Sequence, residues 1–164
     1  MTITQPLRDE HAGLYPHVAA LAEAGDAVGG GPLERLQALV DDSYRFLDEH
    51  LIPHARTEEK FLYPAVNRAV GAAEMTATMK RDHVEVIALT EELAELRTRL
   101  AGAAELDEDL ARALRRVLYG LHALVKVHFA KEEEVYLPIL DDKLSAHEAH
   151  ELFEAMHGAE HAHH

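Results

Sequence analysis

The chain has 164 residues, with 16 Lys plus Arg against 30 Asp plus Glu, a formal charge of −14. That balance argues against a nucleic-acid binder or an anionic membrane as partner, since both need cationic side chains. With no cysteine there are no disulfides, thiolate nucleophiles or iron–sulfur clusters, whereas 13 histidines and no tryptophan are an anomaly that needs a reason.

The periodicity is helical throughout, punctuated by Gly and Pro. A first helix is expected over about 6–28, interrupted by Pro16 and closed by Gly29-Gly30-Gly31-Pro32. A second is expected over about 33–63, kinked near His50 to His54 by Pro53 and stopped near Pro64. Proline removes a backbone hydrogen bond and its ring crowds the preceding turn. A third spans about 73–100 and ends before Ala101-Gly102. A fourth starts behind Asp107 as N-cap and runs to Pro138 or just beyond. Ser145 with Glu148 predicts a capping box and a short fifth helix ending near Gly158. No strand signal exceeds a few residues. The expected fold is all-α: an antiparallel up-down four-helix bundle over 1–142, then a short C-terminal helix and His-rich tail over 143–164. The first ten residues lack the basic and apolar regions of a signal peptide, and no apolar run approaches membrane-spanning length, so a cytoplasmic protein is expected.

The chain repeats itself. His54-Ala-Arg-Thr-Glu58-Glu59-Lys-Phe-Leu-Tyr-Pro64 matches His128-Phe-Ala-Lys-Glu132-Glu133-Glu-Val-Tyr-Leu-Pro138 at an offset of 74. Upstream, Asp9-Glu10-His11 matches Arg81-Asp82-His83 at an offset of 72. The first and second pairs of helices therefore read as two copies of one helical hairpin.

Residues three and four apart share a helix face, so each stripe can be traced. The stripes are Leu7, His11, Leu14, Val18 and Leu21; Leu47, Leu51, His54, Glu58 and Phe61 or Leu62; Met79, His83, Val86 or Ile87 and Thr90; and Leu118, Leu121, Val125, His128, Glu132, Val135 and Ile139. Each aims a histidine at the core, and two also aim a glutamate there. Buried ionised carboxylates are costly unless compensated, and no Lys or Arg lies on these stripes. Without metal, the two glutamates are expected to raise each other's pKa. Four imidazoles and two carboxylates converging in one bundle are a ligand set for two metal ions. Bridging glutamates would supply four donors and the histidines four more, leaving open positions for water, dioxygen or peroxide. Mixed N and O donors suit iron or manganese, and the lack of thiolate speaks against structural zinc.

The other histidines fit less well. His50 lies one turn before His54, and the Pro53 kink could swing it inward as a seventh ligand. His17 and His122 read as outer-sphere or surface residues. Glu59 and Glu133 lie off the stripes and are expected in solvent, as are His147, His150, His157, His161, His163 and His164. Tyr63 and Tyr136 read as interface aromatics, Tyr136 standing one turn after Glu132 and able to hydrogen-bond it.

At these motifs, over about residues 5–141, the sequence resembles the bacterial hemerythrin-like, or HHE cation-binding, domains. The resemblance implies a four-helix bundle with a non-haem di-iron centre, in which His11, His54, Glu58, His83, His128 and Glu132 are the ligands and the two glutamates bridge. Invertebrate oxygen-carrying hemerythrins place a second histidine one turn away on the third helix. Met79 and Ile87 occupy those places here, which weighs against reversible oxygen carriage. The expected cofactor is two iron ions, with manganese or zinc as the alternatives. The expected partner is dioxygen, peroxide or nitric oxide, met by a sensor or scavenger. The competing readings are a divalent-cation buffer without turnover and an interaction protein with a structural metal. No DNA-binding helix pair, signalling domain or flavin site is legible.

Overall fold

The structure is a computed structural model and describes residues 2–161. Those residues form five helices and no strand. Helix α1 spans Gln5–Asp26. Helix α2 is continuous over 33–70, helix α3 spans Ala77–Ala101, helix α4 is continuous over 108–143, and helix α5 spans Ala146–His161. The four long helices pack in a ring in which α1 touches α2 and α4, and α3 touches α2 and α4. The Thr4 N–H near the start of α1 donates to Asp141 at the end of α4 (3.0 Å), and Arg115 near the start of α4 donates to the Val28 carbonyl just past α1 (3.0 Å). Gln37 and Asp41 of α2 reach Leu100 and Arg97 of α3.

Two expected stops are overridden. Helix α2 runs past Pro64 to Val70, where Gly71 at φ +78° closes it with its N–H on the Asn67 carbonyl. A left-handed backbone of that kind suits glycine. Helix α5 runs through Gly158. Helix α1 also passes Pro16 without a break.

The reason Pro64 does not stop α2 is a widened turn. Three π-helical segments, Leu47–Leu51, Glu58–Leu62 and Glu132–Tyr136, each end one residue before an X-Pro pair. In each, the N–H of the residue before proline bonds five residues back: Ile52 to Leu47, Tyr63 to Glu58 and Leu137 to Glu132. The extra residue makes room for the proline ring without ending the helix. It also advances the inward face by one position. Val135, expected on the stripe, is 46% exposed, while Tyr136, Leu137 and Leu140 are buried; Phe61 is half-buried, while Leu62 and Tyr63 are fully buried.

The core falls into two apolar parts. One, built from Val18, Leu21, Leu47, Leu51, Leu93, Leu114, Leu118, Val125 and Phe129, fills one end of the bundle. The other, built from Leu7, Leu62, Val66, Met79, Leu137, Leu140 and Met156, fills the opposite end. Along α1, α2 and α3 the buried histidines His11, His54 and His83, and along α4 Glu132, one turn after His128, lie between residues of the first part and residues of the second. Burying each such side chain contributes roughly 1.5–3 kcal/mol, which stabilises the polar layer clamped between them. Helix α5 starts with the Ser145–Glu148 capping box (2.8 and 3.1 Å) and covers the second part with Met156, Leu152 and Phe153. Among the described residues, no helix is long and apolar enough to cross a membrane.

Candidate metal centre

His11, His54, Glu58, His83, His128 and Glu132 are all buried in one layer, none more than 4% exposed. Their inward atoms form two groups that share Glu58: His11, His54, Glu58 and Glu132, and Glu58, His83 and His128. His54 Nε2 lies 3.3 Å from Glu58 Oε2, and His11 Nε2 lies 3.4 Å from Glu132 Oε1. His83 Nε2 lies 3.3 Å from Glu58 Oε1 and 3.1 Å from His128 Nε2. Several of these atoms have no hydrogen-bond partner: His11 Nε2, His54 Nε2, Glu58 Oε2 and Glu132 Oε1 are buried and unsatisfied. An orphaned buried polar atom normally costs about 1–3 kcal/mol. Four of them converging as lone-pair donors suit metal cations, and the residues present therefore fit the group that the donor chemistry implies.

The outward nitrogens carry a second ring of charge. His54 Nδ1 lies 2.7 Å from Glu10, and His128 Nδ1 lies 2.8 Å from Asp82, which Lys131 also holds. His11 Nδ1 lies 3.3 Å from Glu133, whose other oxygen accepts from Tyr15 (3.1 Å). His83 Nδ1 faces Glu59 at 3.7 Å. Carboxylates behind metal-ligating histidines fix their tautomer and make them better donors. Within each half the first helix thus supports the second: the acid preceding His11 backs His54, and the acid preceding His83 backs His128. Glu133 is therefore not solvated as expected but bonded to the layer. The repeat carried this signal, since Glu10 and Asp82 stand at matching positions.

Tyr63 is the residue that the helical stripes miss. Its ring is fully buried, and its hydroxyl lies 3.1 Å from His128 Nε2, 3.3 Å from His83 Nε2 and 3.1 Å from Glu132 Oε2. It follows Glu58 by five residues, which a π turn places on the same face. Tyr136, expected near Glu132, donates instead to the Met75 carbonyl (3.4 Å), because the same widened turn rotates it away. His50 is exposed beside the layer, since the turn at 47–51 absorbs Pro53 without swinging it inward. His17 is exposed and stacks on Phe46, and His122 is half-buried outside both groups. His147, His150, His157 and His161 are exposed, while His163 and His164 lie outside the described residues.

Without ions, protons hold the layer together. Burial lowers the His11 pKa, but the Glu132 and Glu58 carboxylates facing its Nε2 outweigh it and push it up to about 9. His128 reaches about 9 against the same burial penalty, through Glu58 and the charge of Glu132. Burial and the neighbouring Glu58 charge push Glu132 up to about 7. Burial also opposes ionisation of Glu58, yet the His54 charge and hydrogen bonds from the surrounding groups hold it well below the carboxylate range. The expectation that both glutamates rise is thus corrected: only Glu132 does, because the histidines are close enough to compensate its partner.

Beside the layer, Leu51, Ala55, Val86, Val125 and Phe129 line an apolar crevice that ends on His54, His83 and His128. Its free volume is about 10 Å³, roughly room for one water.

Residues 2–140 match the hemerythrin HHE cation-binding domain. The chain belongs to that family. Three uncharacterized mycobacterial proteins, one from Mycobacterium bovis and two from strains of Mycobacterium tuberculosis, are each 25% identical over 117 residues, covering 71% of this chain and 44% of theirs. The chain thus matches less than half the length of these curated relatives. No solved structure matches it significantly. As a hemerythrin-like domain, the chain has a metal-binding fold, and its buried His/Glu clusters are able to hold metal.

Proposed function

We propose that the layer holds two iron ions and that the protein reacts with small oxidants, namely dioxygen, hydrogen peroxide or nitric oxide, as a sensor or scavenger in the cytoplasm. The four long helices serve as an antiparallel up-down bundle over 1–142 that presents the ligands, and 143–164 is an appendage to it. The observation that carries the reading is the set of unsatisfied buried donors on His11, His54, Glu58 and Glu132. His11, His54, Glu58 and Glu132 would hold one ion, and His83, His128 and Glu58 the other, with the Tyr63 hydroxyl as a further donor. Manganese or zinc would fit the same donors less selectively. Bound iron supplies one-electron redox chemistry. The chain's own residues hold the donors in place, keep bulk solvent out and leave the crevice open only to a small neutral molecule. Among the described residues, no Asp, Glu, His or Lys outside the donor set and its supporting carboxylates lines that crevice as a general base, so hydrolysis is not the expected reaction.

The test is to load metal-free protein with ferrous iron under anaerobic conditions and then add peroxide, following visible absorbance and oxygen evolution. A new ferric absorbance with consumption of peroxide supports the reading. A protein that takes up iron yet stays spectroscopically unchanged is a cation buffer instead, the reading that the high acidic and histidine content would then favour.

A further inference from the structure

Three of the four inward histidines have one carboxylate behind them, each drawn from within the repeat: Glu133 behind His11, Glu59 facing His83 and Asp82 behind His128. His54 has two. Glu10 lies 2.7 Å from its Nδ1, and Glu160 lies 3.3 Å from the same atom. Glu160 comes from α5, beyond the residues that match the family and outside the internal repeat.

Its placement is built rather than incidental. The capping box fixes where α5 begins, and Met156, 3% exposed, anchors the helix against the apolar part formed by Leu7, Leu62 and Leu137. Glu160 follows Met156 by four residues and so shares its inward face. Glu160 Oε1 is buried and has no hydrogen-bond partner of its own, although the side chain as a whole is 22% exposed. Beside it lies a space of about 90 Å³ bounded by Glu10, Leu14, Glu49, His50, Pro53, His54 and Glu160. Glu10 meets the same His54 nitrogen from α1, and the docking of α5 brings Glu160 to it from outside the chain's repeat.

We propose that Glu160 is a positioning residue of the metal centre, and that α5 is a strap delivering a second carboxylate to His54 so that the ion held by His11 and His54 binds more tightly than the other. The inference rests on the two-ion reading above. Two carboxylates on one imidazole pin its orientation and strengthen its inward nitrogen as a donor, and they add negative charge next to that ion alone. Removing an outer-sphere partner of this kind typically costs 10- to 100-fold in metal affinity.

The experiment uses the full chain loaded with zinc, which is diamagnetic, and compares wild type, Glu160→Gln and Met156→Ala. Metal release to a chelator is followed in time, and the His54 Nδ1 proton is followed by NMR. The expected result is that wild type releases two ions in two phases. Glu160→Gln should hold two ions but release the slower one about tenfold faster, and the His54 proton should shift while those of His11 and His128 stay in place. Met156→Ala, which loosens the strap and keeps the carboxylate, should give a smaller change in the same direction. Unchanged release with an unmoved His54 proton in Glu160→Gln overturns the role of α5 while leaving the metal reading standing. A wild-type chain that binds no metal overturns both. A purely structural helix would lower the thermal midpoint in Met156→Ala without altering either release phase, which also contradicts the proposal.

Discussion

The two halves of the bundle begin from one pattern and end in different sites. Under the offset of 74, Tyr63 corresponds to Leu137, and Ala55 corresponds to Phe129. In the first half, Tyr63 sends a hydroxyl among His83, His128 and Glu132. In the second, Leu137 contributes only apolar bulk at the same place. Phe129 stacks flat on His11 (4.3 Å between centroids, 6° between planes), whereas Ala55 leaves a crevice that reaches His83 and His128. The repeat therefore accounts for the six inward His and Glu side chains, and departures from the repeat make the two groups unequal. The first group has four residues, with an aromatic ring stacked on His11. The second has three and a phenol, and the crevice meets the first group at His54 and the second at His83 and His128.

Glu58 should be the most sensitive position, since it alone belongs to both groups. Glu58→Ala is expected to remove both ions, and Glu132→Ala mainly the one near His11, as read from metal content per chain. Equal and partial loss in the two variants would break the assignment of Glu58 as the shared ligand. Tyr63→Phe is expected to retain both ions but to change the visible spectrum of the ferric protein, because it deletes the donor that distinguishes the second group. An identical spectrum would show that Tyr63 stays outside the coordination sphere.

How much of this the sequence revealed depends on the helix type. His11, His54, Glu58, His83, His128 and Glu132 were legible because each falls on an ordinary three-and-four stripe. Tyr63, Val135 and Tyr136 were misplaced because the stripe changes step at a π turn, which hydrophobic periodicity does not register. The signal was present all the same: a glutamate five residues before an X-Pro pair's first member, twice. Glu160 was illegible for a different reason. Its partner is 106 positions away in sequence, and only the docking of α5 brings them together.

Stability against pH sharpens the comparison in the metal-free protein. The raised pKa values of His11 and His128 mean that their contribution is fully present below about 6.5 and is lost as pH rises through about 9. Glu132, raised to about 7, acts in the same sense, its contribution being lost as pH rises from about 4.5 through 7. Glu58, held low, contributes above the ordinary carboxylate range and loses its contribution as pH falls. The thermal midpoint of the metal-free protein should therefore decline from pH 6 to pH 9. Metal uptake needs deprotonated ligands, so the gap between loaded and metal-free protein should widen over the same interval. Parallel profiles would contradict the proton-held layer.

Smaller effects are expected further out. Ala55→Leu should slow the reaction with peroxide or nitric oxide while metal content is unchanged, because it fills the crevice at an overpacking cost of about 1–3 kcal/mol. An unaltered rate would mean that small molecules reach the site by another path. Glu59→Ala should change metal content least, given its 3.7 Å separation from His83 and its partial exposure.

The central claim, two inequivalent redox-active irons in one buried layer, is tested most directly by Mössbauer spectroscopy of the full chain loaded anaerobically with enriched ferrous iron, before and after exposure to air. The account predicts two ferrous doublets of equal area that both convert to ferric signals in air. A single doublet, iron content near one per chain, or ferrous signals that persist in air would contradict it.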